Sequence, residues 1–169
     1  ALSSSIKIMK ESGAHAVKLE GGDDVVDSIK RILLAGIPVM GHLGLIPQSI
    51  YKFGTYSVRA QEDTEALKLK EDAKKLEQAG VFALVLEKVP ADLAKEIASS
   101  LSIPVIGIGA GNSVDGQVLV SHDMFGMTHE FSPRFLRRYL NLYEDINKAV
   151  QNYVQDVKDK KFPNEKEEY

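Results

Sequence analysis

The sequence predicts an α/β chain whose parallel strands are covered by helices, arranged as about the last five strands of a (β/α)8 TIM barrel. Helical and strand-like segments alternate along its length, and the strands are short apolar runs rich in Val, Ile and Leu, the pattern of strands buried on both faces. A two-strand unit is also written twice. Ser12-Gly-Ala-His-Ala-Val-Lys-Leu-Glu20 returns as Ala79-Gly-Val-Phe-Ala-Leu-Val-Leu-Glu87, and Ile37-Pro-Val-Met-Gly-His42 returns as Ile103-Pro-Val-Ile-Gly-Ile108. Polar groups stand at the C-terminal ends of these strands, where barrels of this kind place their active sites. A complete barrel takes about 250 residues, so the first strands are expected in sequence ahead of Ala1.

Each element has a local cause. Residues 3–12 form a short amphipathic helix stopped by Gly13, and residues 14–20 form the strand that follows. Gly21-Gly22 make a turn, Asp23 or Asp24 can cap the next helix, and Val25, Val26, Ile29, Ile32 and Leu33 recur at helical spacing until Gly36. The strand at 37–42 leads into a long loop reaching Ala60, with one helical turn after Pro47. A charged amphipathic helix at 62–79 precedes the strand at 81–87. A helix opened by Pro90 runs to Ala98, and the strand at 103–108 follows. Gly109-Ala-Gly111 and Asn112 form a tight turn, residues 117–121 a fifth strand closed by His122-Asp123, and Ser132-Pro133 open a long helix to about Lys160. Residues 1–163 thus read as part of a single barrel domain, and 164–169 as a polar, mobile tail.

Composition narrows the function classes. At 169 residues, 44% hydrophobic and 27% charged, the chain holds one sizeable core rather than two full domains. A net charge of -3 without a basic, aromatic-interleaved stripe argues against nucleic acid as a partner. No apolar run approaches the roughly 20 residues of a membrane span, and nothing at the start reads as a secretory signal. The absence of Cys leaves metal binding to oxygen and imidazole ligands and fits an intracellular protein.

The chemistry-bearing candidates lie at strand ends. Lys18 and Glu20 are two apart on a strand and share a face; they form either a mutually satisfied ion pair or one cation and one carboxylate in a barrel mouth. Glu87 is delivered to a turn by Ala-Leu-Val-Leu, a setting that suits a general base, with a helix cap or a lysine-paired carboxylate as the alternatives. His42 lies in Gly-His-Leu-Gly and is structural or supporting. Gly107-Ile-Gly-Ala-Gly111 is a weak phosphate-loop pattern that a tight turn explains equally well. A hard cation such as Mg²⁺ needs oxygen ligands beyond Glu20 alone.

Taken together, Val17-Lys-Leu-Glu-Gly-Gly22, Met40-Gly-His-Leu-Gly-Leu-Ile-Pro-Gln-Ser49, Leu84-Val-Leu-Glu-Lys-Val-Pro90, Ile103-Pro-Val-Ile-Gly-Ile-Gly-Ala-Gly-Asn112 and Val120-Ser-His-Asp-Met-Phe-Gly126 resemble ketopantoate hydroxymethyltransferase, in order from about Ile6 to Pro163. The resemblance is to the C-terminal portion of that family and implies a barrel of the phosphoenolpyruvate/pyruvate type. It also implies transfer of a hydroxymethyl group from methylene-tetrahydrofolate to 3-methyl-2-oxobutanoate, giving ketopantoate with the help of Mg²⁺. By the same resemblance Glu87 is the general base, Glu20 a metal ligand, Lys18 a binder of the 2-oxo acid, and His42 a supporting residue at the substrate site. A cytoplasmic homo-oligomer is implied too, decameric in the family. Two aspartates and a serine of the family's early strands have no counterpart here, so this chain alone is expected to be inactive. The alternatives are a Mg²⁺-dependent 2-oxo-acid lyase of the same superfamily and a non-catalytic oligomerisation fragment using the helix at 133–160.

Overall fold

The computed structural model describes residues 1–49, 51, 54 and 56–169. The chain divides into two units, residues 1–118 and 119–169. In the first, α1 (Leu2–Glu11) leads to β1 (Val17–Glu20), and a 3-10 turn (Asp23–Val25) runs into α2 (Val26–Leu34) and β2 (Val39–Gly44). A second 3-10 turn (Pro47–Ser49) precedes α3 (Asp63–Ala79), β3 (Ala83–Glu87), α4 (Ala91–Ser100), β4 (Val105–Ile108) and β5 (Gly116–Gln117). The expected helical turn after Pro47 is present, whereas residues 50, 52, 53 and 55 of the expected loop lie outside the described residues.

Every strand pairs in parallel with the next, giving the order β1-β2-β3-β4-β5. With right-handed crossovers, each step to the next neighbour in the same direction puts its helix on the same face of the sheet. The core agrees with that arrangement. Leu84 and Leu86 of β3 and Val105 of β4 join Ile29 and Ile32 of α2, Leu76 of α3 and Ile97 of α4 in one buried cluster. Ala83, Val85 and Ile108, also buried, are not in it, because residues that alternate along a strand face opposite ways. Their face is the one that carries Lys18, Glu20, His42 and Glu87.

The repeat is preserved in the register. Glu20 pairs with His42 as Glu87 pairs with Ile108, so the two units of the sequence occupy equivalent rungs. β2 runs two residues past His42, which sets Gly44 beside Glu87.

Two expectations need correction. The fifth strand is Gly116–Gln117 rather than residues 117–121. Gly116 pairs with Ile106 and Gln117 with Gly107, and the Val118 N–H makes one more bond to the Gly107 carbonyl; β4 turns away at Gly109, leaving no ladder for a longer partner. His122 and Asp123 consequently do not end a strand. They lie in α5 (Ser121–Met124) of the second unit, whose long helix α6 is Leu142–Lys158 rather than starting at Pro133. The N–H groups of Tyr139, Leu142 and Tyr143 bond to the carbonyls of Met124, Phe125 and Gly126, and Arg138 donates to those of Thr128, His129 and Phe131. Arg138 and Tyr139 therefore have other partners than a helix would offer, and only a turn from the Leu136 N–H to the Pro133 carbonyl follows the expected start. At the tail, Asn164 and Glu167 close a turn through two hydrogen bonds of 2.8 and 2.9 Å.

Candidate active site

Glu20 and Glu87 are the last residues of β1 and β3, and β2 between them contributes His42. Alternation along each strand and parallel pairing put all three on the face opposite the one packed against the first unit's helices. The His42 Nδ1 lies 3.6 Å from the Glu20 Oε1, and its Nε2 lies 3.2 Å from the Glu87 Oε2. The His42 ring is 2% exposed, against 10% for the Glu20 side chain and 19% for Glu87. Neither ring nitrogen reaches a partner in good hydrogen-bond geometry among the described residues. The imidazole is thus enclosed between two carboxylates that keep access to solvent.

Neighbouring backbone fixes these ends. The Gln48 N–H donates to the Glu20 Oε2 at 3.0 Å. The Leu45 N–H donates to the Glu87 carbonyl, and the Lys88 N–H to that of Ile108, both at 2.8 Å. Gly44 has φ +92°, and a Cβ there would stand 2.2 Å from the Glu87 carbonyl oxygen; only glycine lets β2 pass so close to the end of β3.

Several readings of the sequence can now be placed. Lys18 is exposed two residues before Glu20 and makes no ion pair among the described residues, so it is not tied up by Glu20. Glu87 neither caps α4, whose N-cap is Pro90, nor pairs with Lys88, whose Nζ donates to the Tyr56 carbonyl. His42, read as a supporting residue, stands at the centre of the cluster. In the glycine turn, Gly111 lies against Ala91 at the start of α4, a packing role.

Beyond Glu20, the chain turns through Gly21 and Gly22 to Asp23. The Asp23 carboxyl is held below its usual range by its hydrogen bond from Lys75, and the same bond raises the Lys75 ammonium. The Asp23 N–H donates to the Oδ1 of the buried Asp72 on α3 at 3.2 Å, and Lys68 Nζ lies 3.0 Å from both Asp72 oxygens. A cavity of about 380 Å³ is bordered here by Glu20, Asp24, Leu43, Lys68 and Asp72. Glu20 borders it while His42 and Glu87 do not, so it shares one wall with the place where the three side chains meet. Asp72 and Gly44 were not singled out in the sequence. Asp72 stands 49 positions from the amide it accepts, and the only local hint was the i, i+4 charge pair with Lys68.

Among the described residues no group of three or more His, Asp or Glu could hold a metal ion. Glu20 fits as a single oxygen ligand. Its carboxylate is partly exposed at a strand end, and a hydrated hard cation takes one or two protein carboxylates and completes its shell with water and substrate.

The fold and the cluster define an α/β protein with acidic groups gathered around an imidazole at the C-terminal ends of parallel strands. The family described as ketopantoate hydroxymethyltransferase matches residues 1–165, and the chain belongs to that family. It is 72% identical over 169 residues to 3-methyl-2-oxobutanoate hydroxymethyltransferase of Christiangramia forsetii, covering all of this chain and 62% of that protein. The proteins of the same name from Flavobacterium johnsoniae and Parabacteroides distasonis are 72% and 67% identical over the same 169 residues, again 62% of their length. The chain thus spans less than two thirds of these relatives. No helix among the described residues is long and apolar enough to cross a membrane.

Proposed function

We propose that the protein transfers a hydroxymethyl group from methylene-tetrahydrofolate to 3-methyl-2-oxobutanoate, forming ketopantoate for pantothenate biosynthesis. The observation that carries this reading is the convergence of Glu20 and Glu87 on His42, at the strand ends of a chain belonging to this family. Glu87 is the general base. It removes the proton from C3 of the 2-oxo acid, and the electron pair left behind moves toward the keto oxygen, giving an enolate whose C3 attacks the methylene carbon of the folate. Both carbon–nitrogen bonds to that carbon break, water supplies the hydroxyl, and the proton from C3 and one from water go to the two folate nitrogens, releasing tetrahydrofolate. Lys18, on the same face and without an ion pair among the described residues, attracts the substrate carboxylate. Glu20 would supply one carboxylate ligand to Mg²⁺, with water and substrate completing its shell. The bound metal would stabilise the negative charge that develops on the 2-oxo acid. His42, with its ring enclosed, belongs to the substrate site as the group that stands between the two carboxylates.

The barrel belongs to the same proposal. A singly wound sheet with helices on one face leaves the other face in need of cover, and closure into a barrel of the phosphoenolpyruvate/pyruvate type supplies it. The setting we propose is a cytoplasmic homo-oligomer acting on soluble metabolites.

The test is deuterium wash-in at C3 of 3-methyl-2-oxobutanoate in D₂O, followed by NMR on the full protein with Mg²⁺ and no folate. Exchange in the unaltered protein and its loss in Glu87→Gln, with ketopantoate appearing once methylene-tetrahydrofolate is added, is the expected result. Exchange that survives Glu87→Gln would remove Glu87 from the role. Retro-aldol cleavage without folate-dependent transfer would replace the transferase reading with a lyase.

A further inference from the structure

We infer that Asp72 is a positioning residue that fixes where the Glu20 carboxylate stands and thereby sets the affinity of the site for a divalent cation. This rests on the reading of Glu20 as a metal ligand.

Glu20 ends β1, and the next two residues are glycines, which have no side chains to anchor the turn and more backbone freedom to lose than any other residue. Within the turn the Asp24 Oδ1 accepts the Gly22 N–H at 3.1 Å, and the strand end is tied from outside on two sides. The Gly21 N–H bonds to the His42 carbonyl at 3.1 Å, which fixes one side of the turn to β2. The other side is held by α3. Asp72 Oδ1 accepts the Asp23 N–H at 3.2 Å, and Gly22 is seated directly on the same carboxylate. A Cβ on Gly22 would lie 2.2 Å from Asp72 Oδ2 and 2.3 Å from its Cγ, so the glycine and the aspartate are a fitted pair. One turn further along α3, Lys75 Nζ holds the Asp23 carboxylate at 2.8 Å.

A buried carboxylate is costly without a partner. Lys68, 65% exposed, supplies the countercharge from the solvent side to both oxygens, and Oδ1 accepts the backbone amide as well. Asp72 touches neither His42 nor Glu87 in any hydrogen bond or ion pair among the described residues. Its influence on the site therefore runs through the turn that follows Glu20. Residues that orient a metal ligand without touching the metal typically alter affinity by about 10–100-fold when removed.

The experiment measures Mn²⁺ binding to the full protein by the electron paramagnetic resonance of free Mn²⁺, beside circular dichroism and thermal unfolding. Asp72→Ala is expected to weaken Mn²⁺ about tenfold, and Gly22→Ala to do so from the other side of the contact. Asp72→Asn keeps the acceptor for the Asp23 amide and is expected to bind within roughly threefold of the unaltered protein. Ile97→Ala, in the core cluster and apart from the turn, is expected to lower the unfolding temperature without changing the affinity, which separates positioning from stability. Unchanged affinity in folded Asp72→Ala, while Glu20→Gln abolishes binding, would overturn the inference and leave the Glu20 reading standing. Should Asp72→Ala not fold, unchanged affinity in Gly22→Ala would overturn it instead. Undiminished Mn²⁺ binding in Glu20→Gln would overturn both.

Discussion

The Nε2 of His42 stands 3.2 Å from the Oε2 of Glu87, and its other nitrogen faces Glu20, so one imidazole spans carboxylates from the two copies of the repeat. Replacing His42 by Ala leaves two carboxylates facing each other across a void, with their mutual repulsion no longer interrupted by the ring. Turnover is expected to fall on the order of 10²-fold, because Glu87 loses the contact that orients it. Stability is expected to fall by roughly 1–3 kcal/mol. Steady-state rates and urea unfolding of the same preparation measure the two effects separately.

Gly44 and Gly36 form an instructive pair. Both have positive φ, +92° and +79°, yet a Cβ at Gly36 meets nothing within 4 Å while one at Gly44 runs into the Glu87 carbonyl. Gly36→Ala is therefore expected to cost about 1–2 kcal/mol from backbone conformation alone. Gly44→Ala is expected to cost more, about 3 kcal/mol, and to reduce activity by displacing Glu87. Equal unfolding midpoints for the two variants would contradict the geometry.

Neighbouring positions on β3 should separate stability from function. Leu86 is fully buried in the helix-side core, and Leu86→Ala is expected to destabilise by about 2–5 kcal/mol. Val85 is on the opposite face, in register with His42. Val85→Ala is expected to cost about 1 kcal/mol and to affect turnover more than its loss of stability explains. Denaturant unfolding alongside initial rates distinguishes these outcomes.

Glu77 on α3 makes the first unit sensitive to acid. Its carboxyl is held below the ordinary value of 4.5 chiefly by the hydrogen bond from the Ser102 N–H, with Lys74 assisting against the opposing effect of burial. A carboxylate lowered in the folded state adds stability that is fully present above its unfolded value and is lost as pH falls through the folded one. The Glu77→Gln variant is thus expected to be less stable at neutral pH by on the order of 1 kcal/mol, and to converge with the unaltered protein in acid. Unfolding curves from pH 7 down through 4.5 and below follow the convergence.

Much of the first unit was legible because its signals are local. Gly13, Gly36 and Gly80 mark the ends of α1, α2 and α3, and the apolar runs between them became strands. The site was only half legible. Glu20 and Glu87 stood out as charges ending apolar strands, but the importance of His42 depended on register, which places its ring beside Glu20 and, diagonally, Glu87. The comparison of His42 with Ile108 within the repeat was available as a hint, since one copy has an imidazole where the other has a hydrocarbon. Asp72 and Gly44 act through contacts with distant backbone, which no spacing rule addresses. The second unit misled for the opposite reason: Ser132-Pro133 is a sound local start signal, overridden by backbone bonds from Tyr139, Leu142 and Tyr143 to residues 124–126.

The equivalent rungs Glu20–His42 and Glu87–Ile108 make each strand pair a template for altering the other. The backbone ladder is the same at both and only the occupants differ, an imidazole at one rung and an isoleucine at the other. Changing the chemistry at such a centre needs no new architecture, only a change of occupant at a rung the ladder already holds.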